Sequence, residues 1–318
     1  MSTVTLEDIL AARERISGRV RHTPLVSSET LSKRLGTNVH LKLEMFQKTG
    51  SFKPRGAFNK LLAAGVPAGS RVVAVSGGNH AQAVAYASGE LGIRATIFMP
   101  RTTPANYVNA TRDYGAEVTL VADIAEAFEA LAHAERGGAT AVHPFDDPLV
   151  IAGQGTVALE ILEDLPNATD LIVSIGGGGF IGGIAVAAKA VNPKIRIWGV
   201  ETVGADAMAQ ALAAGAPVRL PAITSIAKTL GAPSVTDRTL ALARQHVESV
   251  TVVTDAEAVA SLELLLERAK VLTEPAAACT LAAAERLPAF SADSHVVLVL
   301  CGGNVALGDV CGYRASHG

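Results

Sequence analysis

Three apolar, β-branched runs in this chain each stop at a cluster of glycines. Residues 71–75 run into Ser76-Gly77-Gly78-Asn79-His80, residues 170–175 into Gly176-Gly177-Gly178-Gly179, and residues 295–301 into Gly302-Gly303-Asn304. Short apolar runs bounded by glycine read as buried strands. A glycine after a strand lets the backbone turn sharply and approach a ligand closely. Between the runs lie segments with helical spacing, such as Ala125, Phe128, Leu131 and Ala132. Strand, short turn and helix, repeated, close as a parallel sheet covered by helices, because parallel neighbours need a crossover. The turns then share one carboxyl edge, where open α/β sheets bind their ligands.

The full pattern predicts strands over 39–44, 71–75, 95–99, 117–121, 170–175, 194–201, 250–254 and 295–301. It predicts helices over 6–16, 55–64, 79–91, 104–114, 124–136, 151–164, 180–191, 256–270 and 275–287, the first capped by Thr5 with Asp8. A chain of 318 residues is longer than one hydrophobic core serves well, so two domains are expected. The stretch His143-Pro144-Phe145-Asp146-Asp147-Pro148 reads as a crossing between them. Charged residues make up 18% and the net charge is −3, so there is no electrostatic footprint for nucleic acid or an anionic membrane. No basic leader precedes an apolar run, and no apolar segment approaches the ~20 residues of a membrane span. The three cysteines, Cys279, Cys301 and Cys311, lack C-x-x-C spacing, which argues against a disulfide framework or zinc site and for a reducing cytoplasm.

Lys53 stands out within Ser51-Phe52-Lys53-Pro54-Arg55-Gly56-Ala57. Pro54 suits the first position of a helix, so Lys53 is expected beside the positive end of a helix dipole and near Arg55. Both disfavour the ammonium and favour the neutral amine that forms Schiff bases. The four glycines 176–179 at a helix start suit a phosphate, although a dinucleotide loop has similar grammar. No acidic residue lies suitably placed beyond them, which weakens the dinucleotide reading. Ser76 and the neighbouring N–H groups suit a carboxylate, and Asn79 suits a phenolic oxygen. His80 on an alanine-rich helix reads as a packed residue, and Cys301 alone as a small buried hydrophobe.

In this order, S-F-K-P-R-G, S-G-G-N-H, the tetraglycine loop and C-G-G-N resemble the pyridoxal-phosphate enzymes of fold type II, within them the serine/threonine dehydratase and serine racemase family. The resemblance spans nearly the whole chain. It implies an α/β fold with two open, twisted, mainly parallel sheets flanked by helices. It implies a large cofactor-binding domain of residues 1–50 and 149–318, a small α/β domain of 51–148, and a cytoplasmic homodimer. Lys53 would carry pyridoxal 5'-phosphate and act as the base at Cα, Phe52 would pack on the cofactor ring, and Asn79 would meet its 3-hydroxyl. Gly176, Gly177, Gly178 and Gly179 would bind the phosphate, Cys301 would face the ring nitrogen, and Ser76, Gly77, Gly78 and Asn79 would hold a substrate carboxylate. Glu201 and Ala205 match part of a divalent-cation (Mg2+) site, whose second acidic position falls at Ala207 beside Asp206.

The implied activity is elimination of ammonia from L-threonine and L-serine. Racemisation, or dehydration of 3-hydroxyaspartate or phenylserine, are the alternatives among enzymes. A nucleotide-binding regulatory protein is the alternative outside them, and a preparation that stays colourless with the cofactor would support it. Two departures matter: family racemases carry a serine where this chain has Gly77, and the usual Asp-Gly beside the substrate is replaced by Ile223-Thr224-Ser225-Ile226-Ala227. Glu274-Pro275 matches another family motif and is read as structural.

Overall fold

A computed structural model describes residues 4–317. The strands are β1 (Leu25–Ser27), β2 (Asn38–Leu43), β3 (Arg71–Val75), β4 (Arg94–Pro100), β5 (Glu117–Val121), β6 (Thr140–Ala141), β7 (Asp170–Ser174), β8 (Arg196–Thr202), β9 (Ser249–Val253) and β10 (His295–Leu300). They form a six-stranded sheet in the order β1-β2-β10-β7-β8-β9 and a four-stranded sheet in the order β5-β4-β3-β6. Every pairing is parallel except β1 with β2. This is the expected fold class. β7 is buried along its whole length and β10 along all but its first residue, as strands covered by helices on both faces should be.

The sequence reading misplaced some elements. The helix expected over 151–164 begins three residues earlier: Pro148 sits in the first turn of Pro148–Asp164, and Asp147 caps it by accepting from the N–H groups of Leu149 and Val150 at 2.8 and 3.2 Å. The helix predicted over 256–270 runs from Asp255 to Leu264, widens into a π-helical turn over Leu265–Ala269, and ends at Lys270 in the left-handed region at φ 60°. Strands β1 and β6 and the helices Glu29–Leu35, Ala207–Ala214, Asp237–His246 and Leu307–His317 were not anticipated. Among the described residues no helix is long and apolar enough to cross a membrane.

Helix Pro148–Asp164 touches two neighbours backbone to backbone. A Cβ on Gly153 would lie 2.5 Å from the Arg55 carbonyl of helix Pro54–Ala63. A Cβ on Gly183, in helix Gly179–Val191, would lie 2.3 Å from the Ile151 carbonyl. Beneath this junction lies a buried ion cluster. Arg55 donates to both oxygens of Glu44 at 2.8 and 2.9 Å and to both oxygens of Glu160 at 2.5 and 2.9 Å. Lys42 donates to Glu160 at 2.7 Å. Lys42 and Glu44 thus give the polar positions of β2 and its exit a buried destination rather than a solvated one.

Candidate active site

Lys53 immediately precedes helix Pro54–Ala63, as its Pro54 predicts. Ser51 bridges to Gly302, and Phe52 N–H donates to the Cys301 carbonyl at 3.1 Å, so the lysine loop is tied to the end of β10. The Lys53 amine donates to the Pro144 carbonyl at 2.8 Å and lies 5.1 Å from the centroid of the Phe52 ring. Burial pushes the amine down from its ordinary 10.5 to about 8, against the opposing influence of Cys301 and Glu274. Arg55 does not cause this shift, since Glu44 and Glu160 neutralise it; the depression comes from desolvation. An amine-acylating reagent acting on cofactor-free protein is therefore expected to modify Lys53 with a midpoint near pH 8, whereas solvated lysines respond near pH 10.4. Peptide mapping of the labelled protein across pH checks this.

The tetraglycine loop follows β7. Gly178 is the N-cap of helix Gly179–Val191 at φ 91°, and no side chain caps the first turn, so its leading N–H groups remain available. Neighbours press on the loop: a Cβ at Gly177 would meet the Phe145 ring at 2.2 Å, and one at Gly176 would meet the backbone of Leu230 at 3.3 Å. Phe180, in the helix's first turn, stacks on Phe52 with centroids 3.7 Å apart. Cys301 Sγ accepts from Ser174 Oγ at 3.4 Å, and burial pushes the thiol well up, so it stays protonated.

The loop after β3 completes the cluster. Ser76 Oγ accepts from Gly78 N–H at 3.0 Å. Asn79 Nδ2 donates to both oxygens of Glu274 at 3.0 and 3.1 Å, and Asn79 Oδ1 accepts from Asn304 Nδ2 at 2.8 Å. Thr229 Oγ1 donates to Glu274 at 2.7 Å. His80 Nε2 donates to the Val142 carbonyl at 2.8 Å, and burial aided by the Lys53 charge lowers its pKa to about 3, which keeps it neutral as a packed residue. Its Nδ1 and Ser51 Oγ are buried without a hydrogen-bond partner among the described residues. A Cβ at Gly77 would lie 2.6 Å from Thr103 Oγ1.

Lys53, Phe52, Cys301 and the 176–179 loop thus meet near the ends of β7 and β10, and Asn79 joins them through Glu274 and Asn304. Glu201 and Ala205 serve otherwise. The Glu201 oxygens accept from Met208 and Ala209 N–H at 2.9 and 2.8 Å, capping helix Ala207–Ala214, and Ala205 bridges to Thr202. Burial pushes the Glu201 carboxyl up to about 8. Among the described residues no three His, Cys, Asp or Glu side chains are grouped to hold a metal. Sequence reasoning missed the Pro144 carbonyl, Phe145, Ser174, Thr103, Thr229 and Asn304, and set Glu274 aside. Two signals marked Glu274, its place directly before a helix-opening proline and the family motif it shares with Pro275, and both were read as structural.

The pyridoxal-phosphate dependent enzyme family matches residues 16–302, from before β1 to beyond β10. This chain is a pyridoxal-phosphate dependent enzyme. It is 42% identical over 300 residues to an L-threonine ammonia-lyase of Geobacter sulfurreducens, covering 93% of this chain and 75% of that protein. It is 39% identical over 316 residues to the catabolic L-threonine dehydratase of Escherichia coli, covering 96% and 95%. Among solved structures, maize serine racemase superposes with a TM-score of 0.92 at 39% identity, covering 99% and 98%.

Pyridoxal phosphate requires an amine for its aldehyde, donors for its phosphate and a partner for its ring nitrogen. The residues of this pyridoxal-phosphate enzyme fit each requirement. Lys53 is an amine held near neutrality, the helix start at Gly178 and Gly179 presents N–H groups without a side-chain cap, and Cys301 offers a protonated thiol.

Proposed function

We propose that this enzyme removes ammonia from L-threonine, and from L-serine, to give 2-oxobutyrate and pyruvate. The observation that carries the reading is the Lys53 amine, depressed to about 8 and held at a helix start between a glycine loop and a neutral thiol. The ammonia-lyases among its relatives support it. When bound, pyridoxal phosphate supplies an electrophilic carbon for amines and a ring that takes up charge from Cα.

In this reading Lys53 Nζ holds the cofactor and, once freed, takes the α-proton; positioned general bases of this kind contribute about 10²–10⁴-fold. Ser76 Oγ and the main-chain N–H groups of Gly77 and Asn79 orient the substrate carboxylate, the Gly78 N–H holding Ser76 Oγ in place, so that the Cα–H bond points at the amine. The Cys301 thiol does not hold a positive charge on the ring nitrogen as a carboxylate would. Charge at Cα is then short-lived, which favours prompt loss of the β-hydroxyl. The reading extends to a homodimer, which rests on the family resemblance, and to the cytoplasm, which rests on the three cysteines without C-x-x-C spacing.

Racemisation is the second reading, and one observation favours it. Gly77 has no proton to give, yet the Thr103 hydroxyl stands within 2.6 Å of where a Cβ on residue 77 would be. The test is 2-oxo acid release from L- and D-β-hydroxy amino acids, with and without Mg2+, with Lys53→Ala as control. Rapid 2-oxobutyrate from L-threonine is expected. Background oxo acid with accumulation of the opposite serine enantiomer would replace elimination by racemisation.

A further inference from the structure

We infer that Glu274 is a positioning residue for the cofactor, fixing which end of the Asn79 amide faces the cofactor's phenolic oxygen. The inference rests on the reading proposed above, in which Asn79 meets that oxygen. The two ends of an asparagine amide are alike in size, and their hydrogen-bond partners decide which points where. Two partners act on Asn79 from opposite sides. The Glu274 carboxylate accepts and draws Nδ2 toward itself, with both oxygens at 3.0 and 3.1 Å. Asn304 Nδ2 donates, and it is itself anchored on the Thr49 carbonyl at 2.8 Å, so it draws Oδ1.

The consequence is a defined polarity. One Nδ2 hydrogen is shared between the Glu274 oxygens, the Oδ1 acceptor is engaged by Asn304, and the second Nδ2 hydrogen remains for a ligand. Asn79 can therefore donate to an incoming oxygen and does not offer it a carbonyl. The arrangement is tightly built. Glu274 and Asn79 are buried, and a Cβ at Gly302 would lie 3.2 Å from both Asn79 Nδ2 and Glu274 Cδ. Burial raises the Glu274 carboxyl, while the donors from Asn79 and Thr229 oppose that. The other titratable groups that feel this charge are Lys53, Cys301, Cys279, Tyr107 and Tyr313.

The experiment compares the parent, Glu274→Gln and Asn304→Ala, each titrated with pyridoxal phosphate and each scanned for the pH dependence of its visible cofactor band. Glutamine keeps the shape but turns a donor toward Asn79 Nδ2 or Thr229. In Glu274→Gln the dissociation constant should rise about tenfold, the size of one lost charge-assisted hydrogen bond. Its pH midpoint should fall by about one unit, since a nearby anion favours the protonated form of its neighbours. In Asn304→Ala the amide loses its second anchor but the charge stays, so affinity should fall while the midpoint holds. Parent-like affinity and midpoint in Glu274→Gln overturn the inference. An equal midpoint shift in both variants also overturns it. A parent protein with no visible band overturns the functional reading itself, and the inference falls with it.

Discussion

Lys53→Ala is expected to lower 2-oxobutyrate release from L-threonine by at least about 10³-fold, since one side chain is asked both to hold the cofactor and to move the α-proton. The fold should survive the change. The amine makes one hydrogen bond, to the Pro144 carbonyl, worth about 1 kcal/mol net. Removing a desolvated amine offsets that loss. The depressed pKa sets the sign: the folded state holds this proton less tightly than the unfolded chain, so the amine disfavours folding most fully below about pH 8 and less as pH rises from there toward 10.5. A thermal melt of the cofactor-free proteins at pH 7 should show a variant about as stable as the parent. The assay should show almost no product, and the visible band of the covalently held cofactor should be missing. A variant that kept a tenth of the parent's activity would remove Lys53 from the mechanism.

Arg55→Leu is expected to cost the protein about 3–5 kcal/mol, the range for breaking a buried ion pair by removing one partner. Glu44 and Glu160 would be left with Lys42 as the only other cation of the cluster, and its amine reaches Glu160 and not Glu44. A folded domain is stable by only about 5–15 kcal/mol, so this single change consumes much of the margin. Chemical denaturation at pH 7 measures it. The penalty should shrink in acid. Although burial opposes its charge, Arg55 and Lys42 hold Glu160 below its ordinary 4.5, so its contribution is complete above that value and is lost as pH falls through the folded pKa. A loss that stays flat from pH 7 down through the acid titration of Glu160, below 4.5, would mean that packing of the long side chain, not charge, is what Arg55 supplies.

The fold class was legible because its signal is periodic and repeated. Apolar runs ending in glycine, alternating with helical spacing, leave few solutions, and Thr5 with Asp8 marked a helix start that the structure realises, with Thr5 N–H donating to Asp8 at 2.9 Å. Elements without such a signal escaped. β1 has three residues, too few for a period, and β6 has two. The helix Pro148–Asp164 starts ahead of the expected 151 because the same proline can end one kind of segment or begin another, and only the Asp147 cap decides between them. Lys53 and its neighbours along the chain were legible because Pro54 and the glycines carry local meaning. Glu274, Thr229, Asn304 and the Pro144 carbonyl were not, because each acts on a group far away in the sequence. The same holds for Arg55, whose pairing with Glu160 spans 105 positions and reverses the electrostatic role that its nearness to Lys53 suggested.

The glycine contacts of helix Pro148–Asp164 bear on how this enzyme tolerates change. Gly153 and Gly155 face two different helices, one that begins just after the lysine and one that begins at the tetraglycine loop. The gap between amine and loop is thus gauged by main chains pressed together, with Gly56 and Gly183 on the far sides. A side chain at Gly153, Gly155 or Gly183 would have to push main chain aside, so a library that varies the pocket walls should spare these three positions if the seat is to keep its size.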